Sequence, residues 1–120
     1  MEPLSSTDRD HFAQRLEQLR QQVDEHLESL QRSVAEGGDE HPGSGVSHSR
    51  RSVDRRLMER ERRTQAEIDA ALERVRSGTF GVCVACGTAI DRGRLDVVPQ
   101  TSRCTNCARE LAARDGALDG

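Results

Sequence analysis

Cys83, Cys86, Cys104 and Cys107 are the only cysteines of the chain, arranged as C-x2-C, a gap of seventeen residues, and C-x2-C. A two-residue gap lets both sulfurs of a pair reach one tetrahedral ion at about 2.3 Å, and the overall spacing is that of four-cysteine zinc sites. Gly87, directly after Cys86, permits the tight backbone turn such a knuckle needs. Four thiolates close the coordination shell and leave no position for a substrate or an activated water, so the metal is structural. One structural Zn2+ is the expected cofactor. A tetrahedral iron site and a redox-active or zinc-releasing thiol pair are the alternatives this sulfur set leaves open. Between positions 79 and 107 the core candidates are Phe80, Val82, Val84, Ile90, Leu95, Val97 and Val98. So few apolar residues cannot fold the segment alone, whereas zinc binding in small fingers supplies roughly 10–16 kcal/mol.

Little else in the chain offers chemistry. His11, His26, His41 and His48 are not at ligand spacing to the cysteines and read as solvated surface. There is no glycine-rich phosphate loop, nucleophile motif or rigidly placed acid pair, so no catalytic residue is assigned and the protein is not read as an enzyme. Arg50, Arg51, Arg55, Arg56, Arg60, Arg62 and Arg63 form a dense basic stretch. Pairing with acids of the first helix, among them Asp24, Glu25, Glu28 and Glu36, and with i,i+4 partners is the favoured explanation. Nucleic-acid contact is the rival, weakened by the lack of aromatic residues for base stacking.

The surrounding composition limits how these residues are held. The chain has 120 residues, of which 33% are apolar, 2% aromatic and 32% charged, with a net charge of −3. That is too little apolar matter for one large core and suits long solvated helices. All 18 basic residues are arginine. The polar N-terminus carries no secretory signal and no run is long enough to cross a membrane, so a cytoplasmic protein is expected. Reduced thiols there favour metal over disulfide.

Two amphipathic stretches precede the cysteines. The first is predicted as a helix over 7–36, opened by a Thr7/Asp10 capping pair and stopped by Gly37-Gly38. The second is predicted from Ser49 or Arg50 to Arg76, ended by Ser77-Gly78. Apolar positions Phe12, Leu16, Leu19, Val23, Leu27, Leu30 and Val34 share their steps of three and four with Val53, Leu57, Arg60, Thr64, Ile68, Ala71 and Val75. Folded antiparallel, they pair so that each pair of numbers adds to 87. The shared double step of four is a stutter, which argues for an intramolecular hairpin, and the Arg60 and Thr64 layers should be its weakest stretch. A helix of this length reaches about 43 Å. The expected fold is mainly α: a long antiparallel coiled-coil hairpin, then a small four-cysteine zinc-finger module with a short C-terminal helix. The segments are a disordered 1–6, a hairpin over 7–77 with its tip loop at 37–49, the zinc module over 78–113 and a flexible tail over 114–120.

The run Gly78-Thr79-Phe80-Gly81-Val82-Cys83-Val84-Ala85-Cys86-Gly87, followed by Ile90, Arg94-Leu95, Pro99 and Cys104-Thr105-Asn106-Cys107, resembles the DksA/TraR zinc-finger family. The preceding hairpin fits the same architecture, so the resemblance spans about residues 8 to 112. It implies a cytoplasmic transcription regulator that binds bacterial RNA polymerase without recognising a promoter sequence. The hairpin would enter the secondary channel, with acidic tip residues near the active centre. Asp39 and Glu40 would be those acids, while Gly43 and Gly45 replace the second acid and the alanine of the family's tip pattern. Of the basic positions tied to (p)ppGpp, Arg60 is kept but Glu67 and Ala108 stand where lysines are expected, implying no strong response to it. A monomer is expected. A nucleic-acid-binding zinc ribbon and a structural adaptor are the competing readings.

Overall fold

The computed structural model describes residues 4–36 and 45–119. Four helices follow one another: α1 (Ser6–Glu36), α2 (Gly45–Ser77), α3 (Arg92–Val97) and α4 (Thr105–Asp119). α1 and α2 pack as an antiparallel hairpin, and the smaller elements sit at its base. The molecule extends 59 Å along its longest axis.

Local chemistry explains the ends of the helices, in places one turn away from where the sequence pattern put them. α1 is opened by Ser5 rather than Thr7. The Ser5 backbone N–H donates to Asp8 Oδ2 at 3.3 Å and the Asp8 N–H donates to Ser5 Oγ at 3.1 Å, a reciprocal capping box. Leu4 and Ser5, placed by the sequence reading in a disordered end, thus belong to the fold. α2 begins at Gly45, four residues before Ser49, because helix propagation is cheaper than nucleation and carries through weak formers. Its far end is a Schellman motif. The Gly78 N–H donates to Val75 O at 3.3 Å, and the Thr79 N–H donates to Arg74 O at 2.9 Å. α4 continues as helix to Asp119 instead of stopping near Ala113; Gly116 costs about 1 kcal/mol but does not break it.

The core lies where the rod meets the module. Phe12, Leu16, Ile68, Ala71 and Leu95 are fully buried, with Phe80, Ile90 and Cys83 nearly so. Each large apolar side chain there contributes roughly 1.5–3 kcal/mol by leaving water. Leu4, Met58 and Leu72, which the seven-layer pattern omitted, pack against the same cluster.

The register is antiparallel as expected, and cross-helix contacts track it. Ser33 with Asp54 and His26 with Glu61 add to 87, whereas Asp24 with Gln65 and Arg20 with Asp69 add to 89. The inward face of α2 is turned by about one residue in its first half. Val53 is 52% exposed and Arg60 is exposed, while Asp54 and Glu61 lie partly covered. The basic stretch also behaves differently from expectation. Among the described residues, none of Arg55, Arg56, Arg60, Arg62 or Arg63 has a carboxylate within ion-pair distance. All five are exposed, because α1 turns its apolar stripe and a few polar groups, not a row of acids, toward this part of α2.

Candidate metal centre and its platform

Residues 81–90 form a tight antiparallel turn that presents the first cysteine pair. The Cys83 N–H donates to Thr88 O at 2.8 Å, the Gly87 N–H to Cys83 O at 2.9 Å, and the Ile90 N–H to Gly81 O at 2.8 Å. Val82 and Ala89 form a bridge pair within it. Gly87 has φ +77 at the point where the chain reverses, a conformation that L side chains disfavour. At Gly81 close approach adds to a positive φ: a Cβ there would stand 2.9 Å from Leu4 Cδ1.

The second pair is set by the start of α4. The Ala108 N–H donates to Cys104 O at 2.9 Å, which puts Cys104 at the N-cap, and the Cys107 N–H points at Cys104 Sγ at 3.5 Å. The two halves are tied by the Val84 N–H donating to Ser102 O at 2.9 Å and by Arg94 Nε donating to Arg103 O at 3.1 Å.

The four Sγ atoms all lie within 4.8 Å of one another, and Cys86 and Cys104 are 3.8 Å apart. A tetrahedron with metal–sulfur bonds of about 2.3 Å has edges of about 3.8 Å, so the sulfurs already describe a metal shell. The same separation is far beyond the roughly 2.05 Å of a disulfide. The thiol electrostatics agree. The backbone N–H of Cys104 is the main cause that lowers the Cys83 thiol to about 6, and the Thr88 hydroxyl, 2.9 Å from its sulfur, holds Cys86 down. Cys107, facing Cys104 and then Cys83, is pushed up to about 12. Four sulfurs this close cannot all ionise unless a cation joins them, and Zn2+ supplies that charge. All four cysteines predicted as ligands therefore converge, and the residues fit one structural zinc. Thr88 was not singled out by the sequence reading. A hydroxyl two residues beyond the last cysteine of a knuckle is the signal that marks it.

The platform is fastened to the rod by contacts no motif announces. Phe12 and Phe80 pack at 5.6 Å between ring centroids. Arg92 lies 5.9 Å over the Phe12 ring and donates from Nη1 to Asp8 Oδ1 at 2.9 Å. Arg15 Nη1 donates to Asp96 O at 2.6 Å, and Arg74 Nη2 to Thr101 O at 3.3 Å. Glu67 of the rod and Ala108 of α4 line one shallow surface pocket of about 340 Å3 together with Arg94 and Arg103. Asp39, Glu40 and Gly43 lie outside the described residues.

A helical hairpin whose base is stapled to a closed four-cysteine zinc finger is the class defined by this fold and site. Residues 78–111 match the prokaryotic dksA/traR C4-type zinc finger. An uncharacterised protein of Aquifex aeolicus is 43% identical over 53 residues, which span 44% of this chain and 37% of that one. The RNA polymerase-binding transcription factor DksA of Escherichia coli K12 is 29% identical over 114 residues, covering 92% of this chain and 75% of that one. The solved structure of transcription factor DksA2 from Pseudomonas aeruginosa superposes with a TM-score of 0.81 at 25% identity, covering 92% of this chain and 88% of that one. The finger is thus similar to that of the DksA/TraR family, and rod and finger together are similar to DksA proteins.

Proposed function

We propose that this protein binds bacterial RNA polymerase and regulates transcription initiation by inserting its hairpin tip into the secondary channel. The observation that carries the reading is likeness over nearly the whole chain, rod and finger together, to an RNA polymerase-binding DksA and to the transcription factor DksA2. A narrow hairpin on a rigid base suits entry into a channel that a globule cannot enter. Zinc fixes the base and takes no part in chemistry, because its shell is closed, and the protein is not an enzyme. Asp39 and Glu40 act electrostatically at the far end. No described helix is long and apolar enough to cross a membrane, and the site of action is the cytoplasm, as a monomer.

The (p)ppGpp reading also gains support. Glu67 and Ala108, matched to lysine positions, do share one pocket. A carboxylate and a methyl group at those two positions add no cation to Arg94 and Arg103, and Glu67 repels a polyphosphate, so the response to (p)ppGpp is weak.

Capture by core RNA polymerase, followed by in vitro transcription with Asp39→Ala/Glu40→Ala, tests the reading. Retained capture with loss of the transcriptional effect supports it; no association at micromolar protein overturns it. The exposed arginines of α2 favour one second reading, a nucleic-acid-binding role, which requires binding to DNA or RNA that falls steeply with salt.

A further inference from the structure

The two helices of the hairpin do not offer each other matching faces along their whole length. Near the base, apolar meets apolar: Phe12 and Leu16 of α1 and Ile68 and Ala71 of α2 are all 0% exposed. Further out, α1 still buries Val23, Leu27 and Leu30. On the facing stretch of α2 the partly buried side chains are Asp54, Leu57, Met58, Glu61, Thr64 and Gln65. Four of these six are polar. The specific contacts there are polar as well. Gln65 Nε2 donates to Asp24 Oδ1 at 2.6 Å, His26 Nδ1 lies 3.5 Å from Glu61 Oε2, and Ser33 Oγ donates to Asp54 Oδ2 at 2.9 Å. Thr64 turns its hydroxyl back to Arg60 O at 3.1 Å, a bond within its own helix that adds nothing across the pair and weakens helices locally.

We propose that the hairpin is a two-part device: a rigid base fused to the zinc module, and a distal arm that opens independently, with the joint at Thr64–Gln65 opposite Val23–Asp24. Half-buried polar contacts that water can still reach contribute less, net, than fully buried apolar ones. The arm therefore opens at a free energy well below that of global unfolding, as separate cooperative units do. The base cannot follow, because Phe12, Arg15 and Arg74 also fasten it to the module. The helix-borne part of the probe is then a gated element, whatever its tip contacts.

Hydrogen exchange on the zinc-loaded full chain tests this. Amides of residues 54–64 are expected to exchange at least about ten-fold faster than those of 68–75. Glu61→Leu/Gln65→Leu continues the apolar stripe and is expected to slow 54–64 by about ten-fold while leaving 68–75 within about two-fold. Asp24→Ala, which keeps the apolar stripe intact, is expected to speed 54–64 alone. Equal protection of the two segments in the unaltered protein overturns the proposal, as does any of these variants shifting both segments together.

Discussion

Phe12 of the rod and Phe80 of the zinc module pack with ring centroids 5.6 Å apart, one fully buried and the other 5% exposed. This contact joins two elements that neither periodicity nor cysteine spacing connects. Truncating Phe12 opens a cavity between rod and module, and Phe→Ala in a core costs about 3–5 kcal/mol. Phe12→Ala is expected to lose about that much unfolding free energy, read in urea as a lower midpoint, while keeping one bound zinc, as read by metal analysis. An unchanged midpoint would show that the two parts are not coupled through this ring.

Zinc removal should act on one end only. The finger's core is Phe80, Ile90, Leu95 and Cys83, and the last of these is itself a ligand. Chelation is expected to unfold residues 78–111 as a unit, because the thiol cluster has no other source of compensating charge. Far-UV circular dichroism should fall by the share of α3 and the start of α4 and keep the signal of α1 and α2. Cys83→Ser, which removes the most buried ligand, is expected to reproduce the metal-free spectrum even with zinc present.

The legible parts were those governed by short-range rules. Cysteine spacing gave the ligands because two-residue gaps have few geometries, and the 3–4 steps gave the hairpin and its register. What the sequence hid depends on three-dimensional competition. Ser5/Asp8 displaced Thr7/Asp10 as the cap because Asp8 is also held by Arg92 and Leu4 docks on the module, choices no local pattern encodes. The turn of the α2 face, which exposes Val53 and covers Glu61, reflects the stutter relaxing over the length of the rod. Among the described residues, the expected pairing of Arg55, Arg56, Arg60, Arg62 and Arg63 with α1 acids is absent for the same reason. Asp24 faces Gln65 and its own neighbour Arg20 instead.

Acid should loosen the junction through Asp8. The Ser5 backbone N–H, then the Ser5 hydroxyl and Arg92, hold its carboxyl below the usual aspartate value. A carboxylate depressed in the folded state contributes stability above its unfolded value, near pH 4, and loses it as pH falls through the folded value. Asp8→Asn is therefore expected to be less stable than the unaltered protein at pH 7, with the gap closing as pH drops below about 4. Denaturation midpoints measured at pH 7, 5 and 3 check this. A gap that stays constant over that range would assign the effect to capping geometry and not to charge.

The pocket shared by Glu67 and Ala108 gives a gain-of-function test. Arg94 and Arg103 already line it, and Glu67 opposes them. Arg94 is occupied by Arg103 O at 3.1 Å, so the present charge is partly committed to holding the module together. Glu67→Lys/Ala108→Lys replaces an acid and a methyl group with two ammonium groups on the rim, a charge change that polyphosphates read directly. With core RNA polymerase present, the double variant is expected to bind (p)ppGpp at least about ten-fold more tightly than the unaltered protein, equivalent to about 1.4 kcal/mol. The gain should shrink as salt rises, since the added contacts are exposed charges. The single change Glu67→Gln separates loss of repulsion from new attraction: it should recover only a minor part of the gain. Equal affinity in all three proteins would mean that this pocket does not meet the nucleotide.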